Sequence, residues 1–152
     1  MKNKFRTALA FALALPLFAH AGNRWMDNLE PAHWTATWAT ANKTITAFDA
    51  PIDTINNATL RQIVRISEAG SMVRVSFSNE FGTTPLMINE AHVALRDSGS
   101  AIVERSSKQL TFSGSNSVSI LPGARVVSDA VDMDIANNAE VVISAYLPND
   151  VT

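Results

Sequence analysis

The sequence predicts an all-β protein, an antiparallel β-sandwich that follows an N-terminal signal peptide. Many short segments after residue 33 alternate apolar and polar residues with a period of two, as half-buried strands do. Gly, Pro and Asn separate these segments at roughly regular spacing, which is typical of sandwiches. No segment after the leader combines a 3.6-residue apolar period with helix caps.

Residues 1–21 have the composition of a secretory signal peptide. Three cations precede an apolar run over residues 7–18, and Ala19-His20-Ala21 offers the small residues that signal peptidase accepts at its cleavage site. The apolar run is shorter than the about 20 residues that a membrane-spanning helix needs. We therefore expect the leader to be removed and the product to be secreted or periplasmic.

Composition narrows the classes of partner. Cleavage of the leader removes three of the twelve Lys and Arg residues and none of the fourteen Asp and Glu residues, which leaves a net charge of −5. The charges are scattered rather than clustered, so the pattern argues against nucleic acid and anionic membranes as partners. The chain has no cysteine, so neither a disulfide nor a lipid anchor on cysteine is expected.

The mature chain predicts a single sandwich domain over residues 34–148. A polar stretch without a period, residues 22–33, precedes it as a linker or arm, and residues 149–152 follow it. A long surface loop is expected over residues 42–59, because this stretch contains Pro51 and paired Asn residues. A chain of this size can bury the core that a two-layer sandwich needs.

The first strand is predicted at residues 34–40, where Trp and Ala alternate with Thr. Trp34 and Trp38 are four residues apart, so they share one face of this strand. We expect both in the core, because an indole buries a large area and Ala36 continues the apolar face. The alternative is an exposed pair that stacks on sugar rings.

The clearest strand pattern follows. Residues 73–78 alternate strictly between apolar and polar side chains, and residues 60–66 do so less cleanly. The short loop at residues 68–71 predicts that these two strands form a β-hairpin.

A third strand is predicted at residues 91–96. Ile88 and Ala91 are three residues apart, so a regular strand would place these two apolar side chains on opposite faces. This predicts a bulge or bend at residues 89–90. Turn residues such as Pro122-Gly123 separate the later segments. The remaining strands are predicted at residues 101–103, 108–112, 117–121, 125–128, 131–135 and 140–147.

No stretch supplies the nucleophile, base and oxyanion donor that hydrolysis needs. No serine lies in the Gly-x-Ser-x-Gly elbow. His33 lies in the linker, and His92 lies on the outward face of a strand, where a solvated histidine is the commoner explanation. Asp129, Asp132 and Asp134 could gather around calcium but lack the spacing of a calcium loop. We therefore predict no catalytic, cofactor-binding or metal-binding residue.

A set of motifs runs from Trp34 to the C-terminus. It comprises Trp34-Thr35-Ala36-Thr37-Trp38, Leu60-Arg61-Gln62-Ile63-Val64, Val73-Arg74-Val75-Ser76-Phe77-Ser78-Asn79-Glu80-Phe81-Gly82-Thr83, Pro85-Leu86, Ala91-His92-Val93-Ala94-Leu95-Arg96, Leu110-Thr111-Phe112, Pro122-Gly123-Ala124, Ser128-Asp129 with Val131-Asp132, and Tyr146-Leu147-Pro148. Together these motifs resemble the N-terminal domain of secreted SGNH/GDSL-type hydrolases. The resemblance implies a jelly-roll-like β-sandwich that precedes a catalytic α/β domain, in enzymes that cleave carboxylic esters.

The catalytic blocks of that family do not match this sequence. They are Gly-Asp-Ser, Gly-x-Asn-Asp and Asp-x-x-His. Arg96-Asp97-Ser98 lacks the glycine of the first block, and Leu147-Pro148-Asn149-Asp150 has leucine where the second has glycine. Neither His33 nor His92 has an aspartate three residues before it. No catalytic residue is carried over from the family.

The sequence therefore predicts a non-catalytic accessory domain of a secreted ester hydrolase, inactive alone, with its active site outside this chain. Its partner would be the catalytic domain that normally follows in the same polypeptide. The alternative is a free-standing secreted module that binds carbohydrate.

Overall fold

The computed structural model describes residues 33–42 and 55–151, and the fold is given for these residues. They contain ten strands, one 3-10 helix and no α-helix. The predicted signal peptide, all of the linker but His33, and residues 43–54 of the predicted surface loop lie outside them. The loop was predicted to reach residue 59, but β1 already begins at Ala58. Contacts divide the chain into two units, Met1–Trp34 and Thr35–Thr152.

The elements are β1 (Ala58–Arg65), β2 (Gly70–Val73), β3 (Ser76–Ser78), β4 (Leu86–Ile88), β5 (Glu90–Leu95), the 3-10 helix (Glu104–Ser106), β6 (Lys108–Leu110), β7 (Val118–Ile120), β8 (Arg125–Val127), β9 (Val131–Ile135) and β10 (Glu140–Leu147).

The strand pairs are antiparallel and nested. β1 pairs with β10, β2 with β9, β3 with β8, β4 with β7 and β5 with β6. The chain therefore folds as one long hairpin, whose first arm is β1–β5 and whose second arm is β6–β10. β10 also pairs with β5 and so completes a four-stranded sheet of order β1-β10-β5-β6. This architecture confirms the predicted all-β, antiparallel, sandwich-like fold.

A single cluster of buried residues drawn from both arms forms the core. Ala91 and Val93 on β5 and Leu110 on β6 are fully buried, and alternate residues of β10 lie beside them. Phe77 packs edge-on against Phe112, with ring centroids 5.8 Å apart and an interplanar angle of 65°. Each such aliphatic or aromatic side chain contributes about 1.5–3 kcal/mol when it is fully buried.

The predicted hairpin between residues 60–66 and 73–78 is wrong. β1 pairs with β10, and the second segment is divided into β2 and β3, which pair with β9 and β8. Alternation determines which face of a strand is buried but leaves its partner open, and the partners here are far along the chain.

The division between β2 and β3 has a local cause at Val75. The Ser128 hydroxyl accepts a hydrogen bond from the Val75 backbone N–H at 3.0 Å, and the Ser128 N–H donates to the Val75 carbonyl at 2.9 Å. Ser128 is buried, and its hydroxyl donates in turn to the Asp129 carbonyl at 2.9 Å. A side chain thus replaces one link of the ladder, and the strand breaks there.

The predicted strand at residues 34–40 is also wrong. No strand is assigned within residues 33–42, and none of the described strands pairs with them. Side chains contact this segment instead, and one example is the Ser67 hydroxyl, which donates to the Thr37 carbonyl at 3.3 Å. An alternating pattern forms a strand only where a neighbouring backbone offers a ladder.

Most of the remaining strand predictions are confirmed. β10 covers residues 140–147, and Met133 and Ile135 on β9 are buried. The predicted bend separates β4 from β5 at Asn89. Residues 101–103 form less structure than predicted, a single bridge between Ile102 and Arg96.

Candidate functional site

The connection between β3 and β4 is organised by one buried polar side chain, Asn79. Its amide Nδ2 donates to the carbonyls of Thr84 at 2.9 Å and Ile120 at 2.8 Å. Its backbone N–H donates to the Ala124 carbonyl at 2.9 Å, and its own carbonyl accepts from Gly123 N–H at 2.9 Å. Asn79 therefore ties its own loop to the turn between β7 and β8.

Gly82 is required by the position of Asn79. A Cβ atom added at Gly82 would lie 1.8 Å from Asn79 Oδ1, far inside van der Waals contact. The Gly82 N–H also donates to the Asn79 carbonyl at 3.2 Å. The loop is thus closed tightly around the buried amide. Phe81, one of the two residues between Asn79 and Gly82, is left with 49% of its surface exposed.

A groove of about 660 Å³ opens beside this loop. We call it the Phe81 groove. Its lining includes Asn42, Leu60, Glu80, Phe81, Leu86 and Leu147. The apolar part comes from β1, β4 and β10, and the polar part comes from the loop and from the segment that contains Asn42.

The polar edge of the Phe81 groove is joined by hydrogen bonds. Asn42 Nδ2 donates to Ser78 Oγ at 2.9 Å and to Glu80 Oε2 at 3.2 Å. The Glu80 backbone N–H donates to the same Ser78 hydroxyl at 3.2 Å. One planar amide and one carboxylate are thereby held together next to an exposed aromatic ring. Such a set combines an apolar face with hydrogen-bonding groups that keep unused acceptor capacity.

Asn79, Glu80, Phe81 and Gly82 were predicted to belong to a turn-rich connection and to a motif of the resemblance, and the groove beside them was not predicted. One signal was present, since Phe81 is a large aromatic residue inside an otherwise polar turn. The participation of Asn42 had no local signal, because it depends on contacts across 36 residues or more.

The histidine and serine that hydrolytic chemistry would need lie on the outer face of the four-stranded sheet. Arg61, Ser144, His92 and Gln109 form one row across its strands. His92 Nε2 lies 2.8 Å from Glu90 Oε1, and Ser144 Oγ accepts from Arg61 Nε at 3.0 Å. The imidazole therefore faces a carboxylate and the hydroxyl faces a guanidinium. This geometry does not supply the serine–imidazole contact that activates a nucleophile.

Ser98 lies in the exposed turn that follows β5, where its carbonyl accepts from the Ala101 N–H at 2.7 Å. Asn149 and Asp150 lie after the end of β10, and His33 is exposed at the start of the described residues. Among the described residues, the hydrogen-bond partner of the His92 side chain is Glu90 and not Ser98.

Asp129 stabilises a turn. Its carboxylate accepts hydrogen bonds from the Thr111 hydroxyl at 2.7 Å, the Gly114 N–H at 2.8 Å and the Ser113 N–H at 3.1 Å. These bonds, that from Thr111 foremost, hold the pKa of Asp129 below its ordinary value of 3.8.

Asp132 and Asp134 point outward from β9, as the alternation predicted. Within residues 33–42 and 55–151, no group of three or more His, Cys, Asp or Glu side chains could hold a metal ion.

The two tryptophans are not in the core, so that prediction was wrong. Trp34 is 42% exposed and Trp38 is 46% exposed. The even spacing predicts that both side chains lie on one face of an extended segment. It does not predict whether another part of the protein covers that face. Each indole is thus partly exposed, which is the condition that the alternative, stacking on sugar rings, requires.

The chain matches no protein-family model, and a search of curated proteins finds no match either. In the part of the chain that the structure describes, there is no helix whose length and apolar character would let it cross a membrane.

Proposed function

We propose that this chain is the non-catalytic, N-terminal β-sandwich domain of a secreted or periplasmic SGNH/GDSL-type carboxylic ester hydrolase. Residues 1–21 would be its signal peptide, and the catalytic α/β domain would be its partner in the same polypeptide. Selectivity for the ester would then belong to that partner.

The nested pairing of strands supports this proposal. A jelly roll is a long antiparallel hairpin wound into two layers, and such a hairpin would contain nested pairs like those that run from β1–β10 inward to β5–β6. The jelly-roll-like architecture is the one that the resemblance implies, whereas the resemblance itself came from short motifs.

The observation that carries the proposal is the role of Asn79. The resemblance includes Asn79 and Gly82 in one motif and Gly123-Ala124 in another, more than 40 residues later. Asn79 exchanges hydrogen bonds with both Gly123 and Ala124, and it needs a residue without a side chain at position 82. Four motif residues thus act as one structural unit, which is a physical reason for them to occur together.

The hydrolysis of p-nitrophenyl acetate tests the non-catalytic role. The purified chain should show no turnover above a heat-denatured control, and Ser98→Ala and His92→Ala should leave the background rate unchanged. Turnover that disappears with either substitution would refute the proposal, because it would place an active site within this chain.

A second candidate is a free-standing carbohydrate-binding module, favoured by the exposure of Trp34 and Trp38. Iodide quenching of tryptophan fluorescence tests its premise. Iodide should quench a large part of the emission, and Trp38→Phe should remove part of the accessible fraction. If iodide reaches none of the indoles, this candidate loses its main support.

A further inference from the structure

We propose that the Phe81 groove binds a neutral oligosaccharide, with the Phe81 ring stacked on a sugar face and with Glu80 and Asn42 bonded to sugar hydroxyls. This inference rests on the carbohydrate-binding candidate and gives it a site. It does not depend on the ester-hydrolase assignment.

The first observation is that the aromatic ring is exposed and held in place. Phe81 lies between Asn79 and Gly82. Asn79 is buried and bonded both within its own loop and to the end of β7 and the β7–β8 turn, and a side chain has no room at Gly82. A loop closed in this way has little freedom to withdraw the ring into the core. A preorganised ring loses less conformational entropy when a ligand covers it.

The second observation is the pair of planar polar groups beside the ring. Asn42 Nδ2 occupies one carboxylate oxygen of Glu80 at 3.2 Å, which leaves further lone pairs on that carboxylate. The Asn42 amide oxygen supplies another acceptor. Sugar hydroxyls are donors, and hydrogen bonds to a carboxylate are about twice as strong as those between neutral groups.

The third observation is the charge of the groove. Glu80 is the one ionisable side chain among the described residues that line it, and no Lys or Arg accompanies it. An anionic polysaccharide would meet repulsion from Glu80, and none of the described lining residues supplies a cation to offset it. A neutral sugar chain, whose rings present C–H groups on one face and hydroxyls at the edge, fits both parts of the lining.

The fourth observation extends the surface beyond the groove. Trp38 lies four residues before Asn42, so its Cα is at most about 14 Å away along the chain. Trp38 is 46% exposed. A chain of several sugar units seated against Phe81 and Asn42 would be long enough to reach this second ring.

Calorimetric titration of the purified chain with cellohexaose, xylohexaose and mannohexaose tests the inference. At least one hexasaccharide should bind with a Kd at or below about 1 mM. Phe81→Ala should weaken it by about 10-fold or more, and Glu80→Gln by several-fold. The matched control is Leu121→Ala on the neighbouring turn, an exposed apolar residue outside the groove that should leave the Kd unchanged.

The outcomes separate the claims. If none of the three sugars binds at about 5 mM, the groove proposal and the carbohydrate candidate are both overturned, and the ester-hydrolase proposal is unaffected. If a sugar binds and Trp38→Ala abolishes binding while Phe81→Ala does not, the carbohydrate candidate stands and the groove is rejected as its site. Equal thermal unfolding of Phe81→Ala and the wild type ensures that a loss of binding is not a loss of folding.

Discussion

Substitution of Gly82 by alanine should destabilise the protein through Asn79. The new Cβ would lie 1.8 Å from Asn79 Oδ1, so the Asn79 side chain must move. Movement breaks the two hydrogen bonds from Asn79 Nδ2 to the Thr84 and Ile120 carbonyls, each worth about 1 kcal/mol. The bond to Ile120 is buried, so its loss costs more than that of an exposed bond. We therefore expect Gly82→Ala to lower the free energy of unfolding by about 2–3 kcal/mol.

A double-mutant cycle tests that cause. Asn79→Ala removes the same two hydrogen bonds and should also cost about 2–3 kcal/mol. Asn79→Ala also removes the Oδ1 atom that the new Cβ would meet, so Gly82→Ala should cost little more in that background. The double variant should lose about 3 kcal/mol, whereas two independent sites would together lose roughly 4–6 kcal/mol. Such a loss is a large part of the about 5–15 kcal/mol by which folded domains are stable.

Urea unfolding followed by far-ultraviolet circular dichroism measures each free energy. The matched control is Gly70→Ala, because a Cβ there would meet its nearest atom at 3.7 Å, an ordinary contact. This control should change the free energy of unfolding by less than about 1 kcal/mol. If the two losses add within about 0.5 kcal/mol, or if Gly82→Ala has no effect, the structural role assigned to Asn79 is wrong.

Three further predictions concern stability. The pKa of Asp129 in the folded state lies below 3.8, so the unfolded state binds more protons at acid pH. The stability that its hydrogen bonds contribute is therefore present above pH 3.8 and is lost as the pH falls through the lowered pKa. When unfolding is measured against pH, the free energy of unfolding should fall less steeply in acid for Asp129→Ala than for the wild type, and equally steep falls would contradict this. Ser128→Ala should cost about 1–3 kcal/mol in urea unfolding because the buried Val75 N–H loses its acceptor, whereas Ser119→Ala, exposed on β7, should cost less than about 0.5 kcal/mol. Leu110→Ala should cost about 2–5 kcal/mol, since Leu110 is fully buried, and a cost below about 1 kcal/mol would show that the core is not packed around it.

The sequence predicted strands well and their partners poorly. Alternation within β9 identified its buried residues, Met133 and Ile135, because the period of two is a local property of the backbone. The pairing of β1 with β10 joins segments at opposite ends of the sandwich domain, such as Arg61 with Ser144, and no local pattern contains that information. The apparent hairpin between residues 60–66 and 73–78 failed for this reason.

The candidate site could not be predicted from local sequence patterns either, because it depends on contacts between residues far apart in the sequence. Asn79 was identified as a turn residue, but its burial depends on the β7–β8 turn, which lies more than 40 residues later. Asn42 reaches Glu80 only because residues 35–42 lie beside the β3–β4 loop. The tryptophans were misplaced for a similar reason. Alternation predicts which residues share a face of a segment but not whether other residues cover that face.

The central claim is that this chain is the accessory domain of an ester hydrolase, and the nucleotide sequence downstream of the Thr152 codon tests it most directly. We predict a reading frame that encodes a Gly-Asp-Ser block, then Gly-x-Asn-Asp, and finally Asp-x-x-His. A downstream region in which no frame encodes these blocks would contradict the claim.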